Sequence, residues 1–151
     1  MNVLRLSLAA TVAVGMATFG SSGAWALAAV LKGVNQVGTP GDPDGFGTAV
    51  AEIVSPTKIC FSVIVSKIDK PTEFHIHQGV KGTNGDVVVP FVPPPNGNPG
   101  FNAGCTSGLS PLLVNRIRRN PTAYYVNVHT AAFPEGAVRG QLFDPTRQLA
   151  P

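Results

Sequence analysis

The sequence predicts an all-β protein: an immunoglobulin-like or Greek-key β-sandwich with one short helix near residues 110–120. Two observations lead to this prediction. The chain has 17 glycines and 14 prolines but only 13% charged residues, a composition typical of short strands joined by tight turns. Several segments also alternate apolar and polar residues, which is the period of a half-buried strand.

The first 28 residues have the order of a cleavable secretory signal peptide. Arg5 is followed by an apolar stretch and then by small residues. Cleavage is expected after Ala26 or Ala28, and the second position is favoured because a strand pattern follows it. The apolar stretch falls short of the roughly 20 residues that a spanning helix needs. The mature chain is therefore expected to have no membrane span and to be secreted or periplasmic.

Residues 29–151 have the length of a single domain. The net charge of +3 is too small to predict binding to nucleic acid. The expected partner is an unidentified extracellular protein or polysaccharide. Two cysteines, Cys60 and Cys105, occur in a chain that is predicted to be exported. An even cysteine count in that setting predicts a disulfide rather than free thiols.

Seven strands are predicted where alternating segments end at glycine, proline, asparagine or aspartate. They cover residues 29–37, 48–54, 57–68, 73–78, 86–92, 122–130 and 137–143. The breaker-rich tracts 38–47 and 93–100 are predicted loops. Within the third segment, alternation directs Ile59, Phe61, Val63 and Val65 toward the core.

Residues 110–120 form the predicted helix. Pro111 suits a first helical turn, and three arginines near the end complement the helix dipole. Leu112, Leu113 and Ile117 are expected to share its apolar face.

Alternation also assigns polar side chains of three strands to one face of the sheet. The assigned residues are His75, His77, Asn127, His129, Arg139 and Gln141. If these strands are neighbours, the six side chains form one polar patch. That patch would contain all three histidines of the chain.

The histidines support two interpretations. His75 and His77 project from one side of a strand, and His129 on a neighbouring strand would complete a copper or zinc site. Against a metal, Arg139 would repel a cation, and no carboxylate is clearly placed to orient the rings. Three structural histidines that bond to backbone carbonyls and neighbouring amides would give the same sequence. The structural interpretation is preferred, and the metal site is the alternative.

Four segments carry a resemblance to a known family. They are His75-Ile-His-Gln-Gly79, Gly82-Thr-Asn-Gly-Asp-Val-Val-Val89, Tyr124-Tyr-Val-Asn-Val-His-Thr130 and Pro134-Glu-Gly-Ala-Val-Arg-Gly-Gln-Leu142. In this order they resemble the CHRD (chordin) domain, in its compact bacterial single-domain type. The resemblance implies an extracellular or periplasmic β-sandwich-like module spanning residues 29–151. Growth-factor binding by chordin is associated with cysteine-rich modules that this chain lacks, so that activity does not carry over.

Catalytic motifs are missing from the sequence. It has no Gly-x-Ser-x-Gly elbow, no phosphate-binding glycine loop and no His-Glu-x-x-His helix. The His-x-His strand is faintly similar to that of copper/zinc superoxide dismutase, but three histidines cannot supply that enzyme's ligand set. We therefore expect a non-catalytic binding module of unknown ligand. The alternatives are a copper- or zinc-binding protein and, less favoured, a metal-dependent redox activity.

Overall fold

The computed structural model describes residues 25–148, and the all-β prediction is confirmed there. Its eight strands are all paired in antiparallel fashion. They are β1 (Trp25–Lys32), β2 (Phe46–Ser55), β3 (Lys58–Ser66), β4 (Pro71–Gln78), β5 (Val87–Phe91), β6 (Gly100–Ser107), β7 (Tyr124–Thr130) and β8 (Val138–Gln141). The helices are α1 (Pro111–Arg119) and α2 (Pro145–Gln148), with short 3-10 turns at Gly33–Asn35 and Pro121–Ala123.

The strands form one eight-stranded sheet in the order β5-β4-β7-β8-β1-β2-β3-β6. The edge strands β5 and β6 approach each other without backbone pairing. Side chains of β6 bridge this seam: Thr106 Oγ1 donates to the carbonyl of Pro90 at 2.6 Å, and Asn102 Nδ2 donates to that of Val92 at 3.0 Å. The sheet is thus curled nearly into a barrel, and an immunoglobulin-like Greek-key arrangement of two sheets is not confirmed.

The core lies inside this curled sheet and follows the alternation of the strands. The four predicted core residues of β3 are all buried, with exposures of 0% for Ile59, 5% for Phe61, 1% for Val63 and 0% for Val65. Phe61 also meets the aromatic rings of Phe74 and Phe91. Period-two patterning therefore assigned the inward face of β3 correctly.

The first strand differs from the prediction, which placed it at residues 29–37. It runs over Trp25–Lys32, and Leu27 is completely buried. The backbones of Ala28 and Phe143 exchange two hydrogen bonds of 2.9 Å. The predicted signal peptide thus lies partly in this strand, while its residues 1–24 lie outside the described residues.

Strand β6 was not predicted. Its sequence, Gly100-Phe-Asn-Ala-Gly-Cys-Thr-Ser107, is rich in glycine and small side chains, which have weak strand propensity. Pairing with β3 makes it a strand, and Gly104 fits closely there, because an added Cβ would lie 3.2 Å from the ring of Phe61. Tertiary context overrides local propensity here.

The helix prediction is confirmed, since α1 begins at Pro111 and ends at Arg119. Its buried side chains are Val114 and Ile117, whereas Leu112 is 58% exposed. The predicted apolar face was therefore wrong at Leu112. Residues three apart in a helix share a face, and position 114 rather than 112 has that spacing to Ile117.

The predicted disulfide between Cys60 and Cys105 is confirmed. The two cysteines face each other across the β3–β6 ladder. In the part of the chain that the structure describes, no helix is long and apolar enough to cross a membrane.

Candidate metal centre

Three adjacent strands carry the predicted polar patch. β4 pairs with β7 so that His75 lies opposite Asn127 and His77 opposite Tyr125. β7 pairs with β8 so that Asn127 lies opposite Arg139. The structure therefore makes neighbours of the strands that the patch required.

Loops cover this outward face of the sheet. All seven residues of β7 are buried, although every second side chain points away from the core. His77 is 8% and His129 is 7% exposed, and the side chain of His75 is 14% exposed. Two loops, 79–86 and 131–137, supply the backbone carbonyls that contact His77 and His129. The histidines are thus largely shielded from solvent rather than lying on an open surface.

Backbone carbonyls fix the orientation of two of the rings. His77 Nδ1 lies 2.9 Å from the carbonyl oxygen of Gly85, and His129 Nδ1 lies 2.9 Å from that of Pro134. A carbonyl oxygen only accepts, so a neutral ring must carry its proton on Nδ1. The lone pair of each ring is then on Nε2.

One nitrogen of each ring has no partner. His75 Nδ1, His77 Nε2 and His129 Nε2 are buried and make no hydrogen bond to any described residue. The ligand atoms of these three side chains lie within 4.8 Å of one another. Buried polar atoms are nearly always satisfied, so three clustered rings that each keep one unpartnered nitrogen need an explanation. A single metal ion bound by all three would satisfy them together.

Glu73 is the carboxylate that sequence reasoning did not place. Its Oε2 lies 3.5 Å from His75 Nε2, whereas the unpartnered nitrogen of this ring is Nδ1. It is opposite His129 in the β4–β7 ladder and two residues before His75 on the same face. The signal that could have found it is this period-two spacing. A carboxylate at the distal nitrogen of a histidine is a frequent outer partner in metal sites.

Burial favours the neutral form of His75 and His77. It lowers the pKa of His75, and the neighbouring His129 and His77 lower it further, while Glu73 opposes the shift. Burial likewise lowers the pKa of His77, with the Gly85 carbonyl opposing and His129 and Arg139 adding to the decrease. Neutral imidazole is the form that binds a metal.

Tyr125 separates the histidines from the arginine of the patch. Its ring stacks on His77 with centroids 4.8 Å apart and planes 8° apart. The guanidinium carbon of Arg139 lies 3.4 Å from the same ring centroid. The repulsion that the sequence predicted between Arg139 and a cation is present, but an aromatic ring lies between them.

Asn127 and Gln141 do not bond to the histidines. Asn127 accepts from Gln36 Nε2 at 2.6 Å and donates to the Glu135 carbonyl at 3.2 Å. Gln141 Nε2 lies 2.7 Å from the carbonyl oxygens of Gly79 and Tyr124. Both amides therefore hold loops in place. The structural interpretation had assigned them to the histidine rings, and those contacts are not made.

Comparison of the chain with known proteins identifies its family. A family model described as CHRD domain matches residues 27–142, most of the chain. The protein belongs to the CHRD domain family. This confirms the resemblance. The matched residues of the chain include all three histidines and both cysteines. No curated protein and no solved structure matches the chain.

Proposed function

We propose that this protein is an exported, non-catalytic CHRD module that binds one copper or zinc ion through His75, His77 and His129. The observation that carries the proposal is the clustering of three histidines that offer ligand atoms within 4.8 Å of one another, each with one buried nitrogen that has no partner. Imidazole is a common ligand of both metals. A three-histidine set leaves one position of a tetrahedral ion free for water or another ligand.

The local bonding supports a metal over three purely structural histidines. A buried acceptor left without a partner costs about 1 to 3 kcal/mol, and three such atoms together need compensation. The amides that could have compensated, Asn127 and Gln141, bond to other groups. A metal compensates all three nitrogens at once, and the carbonyls of Gly85 and Pro134 orient two of the rings toward it.

Export is supported by the leader-like sequence and by the disulfide, which persists in oxidising compartments. Burial of Leu27 favours cleavage after Ala26. Cleavage after Ala28 would remove this fully buried residue from the mature chain. The unidentified partner of the module, an extracellular protein or polysaccharide, stays a prediction.

The proposal is tested by titrating the mature, disulfide-bonded protein with Cu(I), Cu(II) and Zn(II) separately, each against a competing chelator. We expect one ion per chain for at least one of these metals. His77→Ala removes a proposed ligand and should lower the affinity by about 100-fold or more, since loss of a hydrogen-bond partner of a ligand alone costs about 10- to 100-fold. Gln78→Ala, at the exposed end of the same strand, is the matched control and should bind like the wild type.

Circular dichroism and thermal unfolding of each variant separate a lost ligand from a lost fold. Absence of stoichiometric binding of every metal by the folded wild type would make the cluster structural. Equal metal affinity of a folded His77→Ala variant would also contradict the proposed ligand set.

A further inference from the structure

A pocket of about 380 Å³ opens beside Arg139, and none of the three histidines lines it. Its walls are residues 34–37, residues 81 and 82, and Arg139 and Gln141 of β8. The volume lies in the range of about 300 to 1,000 Å³ that is typical of small-molecule sites. Two cationic side chains, Lys81 and Arg139, line it, and no carboxylate does.

Arg139 is a buried cation without an acidic partner. It is 2% exposed, and no ion pair among residues 25–148 includes it. Its Nη1 donates to Asn84 Oδ1 at 2.8 Å and its Nη2 to the Thr83 carbonyl, and both acceptors are neutral. Burial lowers the pKa of this guanidinium. A buried charge normally requires a counter-charge, and an anion bound in the adjacent pocket would supply one for Arg139.

The walls of the pocket are braced against each other. Asn35 Nδ2 donates to the Arg139 carbonyl at 3.0 Å, and Asn84 Nδ2 donates to the Val37 carbonyl at 3.0 Å. Gln36 Nε2 is held by Asn127 at 2.6 Å. These bonds join the 33–37 segment to β7, to β8 and to the 79–86 loop, so the shape exists before a ligand binds. Preorganisation of this kind reduces the entropic cost of binding.

The same bonds define which ligand groups the pocket accepts. The amide nitrogens of Asn35 and Gln36 are used, which leaves the amide oxygens to accept from a ligand. Guanidinium recognises carboxylate through paired, charge-assisted hydrogen bonds. A ligand with one carboxylate and several hydroxyl donors complements this arrangement.

We propose that the pocket binds the carboxylate of a hydroxylated organic acid, either a free sugar acid or a sugar-acid unit of an acidic polysaccharide. Arg139 pairs with the carboxylate, Lys81 adds attraction at the rim, and the amide oxygens accept from hydroxyl groups. This site shares no wall residue with the histidine cluster, so the proposal does not require a bound metal.

The test is calorimetric titration of the mature protein with galacturonate, trigalacturonate and gluconate, in a chelating buffer that keeps metal off the histidines. We expect one saturable site for at least one of these acids and none for galactose, which lacks the carboxylate. Tighter binding of trigalacturonate than of galacturonate identifies a polysaccharide ligand, and equal or weaker binding identifies a free acid.

Two variants locate the site. Arg139→Gln should abolish binding. Because that change could also unfold the protein, a second variant changes Lys81, which is exposed. We expect Lys81→Glu to weaken binding by about tenfold or more. Lys70→Glu, an exposed lysine outside the pocket, carries the same charge change and should bind like the wild type. Failure of all three acids to bind with a Kd below about 10 mM, or unchanged affinity in Lys81→Glu, would overturn the proposal.

Discussion

At the scale of single residues, the informative atoms are those that the fold buries and leaves unpartnered. His77 and His129 each use one nitrogen on a backbone carbonyl, and the other nitrogen is buried without a partner. His75 differs, because its Nε2 lies near the carboxylate of Glu73 rather than near a backbone carbonyl. The third ring therefore depends on a side chain that can be changed without altering the backbone.

Replacing this carboxylate should weaken metal binding while leaving the fold intact. We expect Glu73→Gln to lower metal affinity by about tenfold, the lower end of the 10- to 100-fold range for groups that hydrogen-bond to a metal ligand. The lower end applies because the Glu73 side chain is 63% exposed, so water screens its charge. Competition with a chelator at fixed pH measures the change. Thr72→Ala, at the exposed preceding position, is the control. A Glu73→Gln variant with unchanged affinity would remove this residue from the site.

The lowered pKa values of His75 and His77 predict a pH dependence of stability. In the unfolded chain these rings take up protons near their ordinary pKa of 6.5, whereas the folded protein resists protonation. Between the folded and unfolded pKa values the unfolded state binds more protons, so stability rises with pH there. The contribution is complete above the unfolded pKa and is lost as pH falls below it.

This dependence is measured by urea unfolding of the metal-free protein at several pH values between 7.5 and 5. We expect the free energy of unfolding to fall over this range, and to fall less in a His75→Asn/His77→Asn variant. A wild type whose stability does not change between these pH values would contradict the assigned shifts.

At the scale of elements, strand β6 is held by its partner rather than by its own sequence. It pairs with β3 over eight residue pairs, one of which is the disulfide Cys60–Cys105. Its side chains Thr106 and Asn102 then reach across the seam to β5 and the chain that follows it. The position of β6 therefore decides how far the sheet closes.

Removing the disulfide should destabilise the protein without disturbing the histidines. We expect the Cys60→Ser/Cys105→Ser variant to lose about 2 to 4 kcal/mol of unfolding free energy, the usual range for a native bridge. Denaturant unfolding of oxidised and reduced wild type provides the comparison. Metal affinity should be unchanged, because the bridge lies on β3 and β6 while the ligands lie on β4 and β7. Loss of metal binding in a folded variant would contradict this separation.

At the scale of the whole molecule, β1 joins the two halves of the sheet. It pairs with β2 on one side and with β8 on the other. The isolated bridge between Ala28 and Phe143 extends the second contact. The first residues of the predicted mature chain therefore belong to the core of the fold.

The mature N-terminus should consequently retain Leu27. We expect a chain that begins at Ala29 to be less stable than one that begins at Leu27 by about 2 to 5 kcal/mol, the usual cost of deleting a buried leucine side chain. Denaturant unfolding of the two purified chains measures the difference. Mass spectrometry of the exported protein tests the same point, and an N-terminus at Ala29 with undiminished stability would contradict it.

The sequence by itself determined the β class, the helix at Pro111–Arg119, the disulfide, the family and the face of each strand that carries the histidines. These follow from local periodicity, residue type and a short ordered set of motifs, which are readable along the chain. The agreement is closest in β3 and β4, where alternating side chains are large and apolar on one face.

Only the tertiary structure decided which strands are neighbours, how the sheet closes and where each polar group finds its partner. Strand β6 and the start of β1 escaped prediction because their strand structure depends on pairing with distant segments. The bonding of Asn127, Gln141 and the histidine rings depends on loops far away in sequence. Periodicity assigns a side chain to a face, but it carries no information about which distant backbone carbonyl will cover that face.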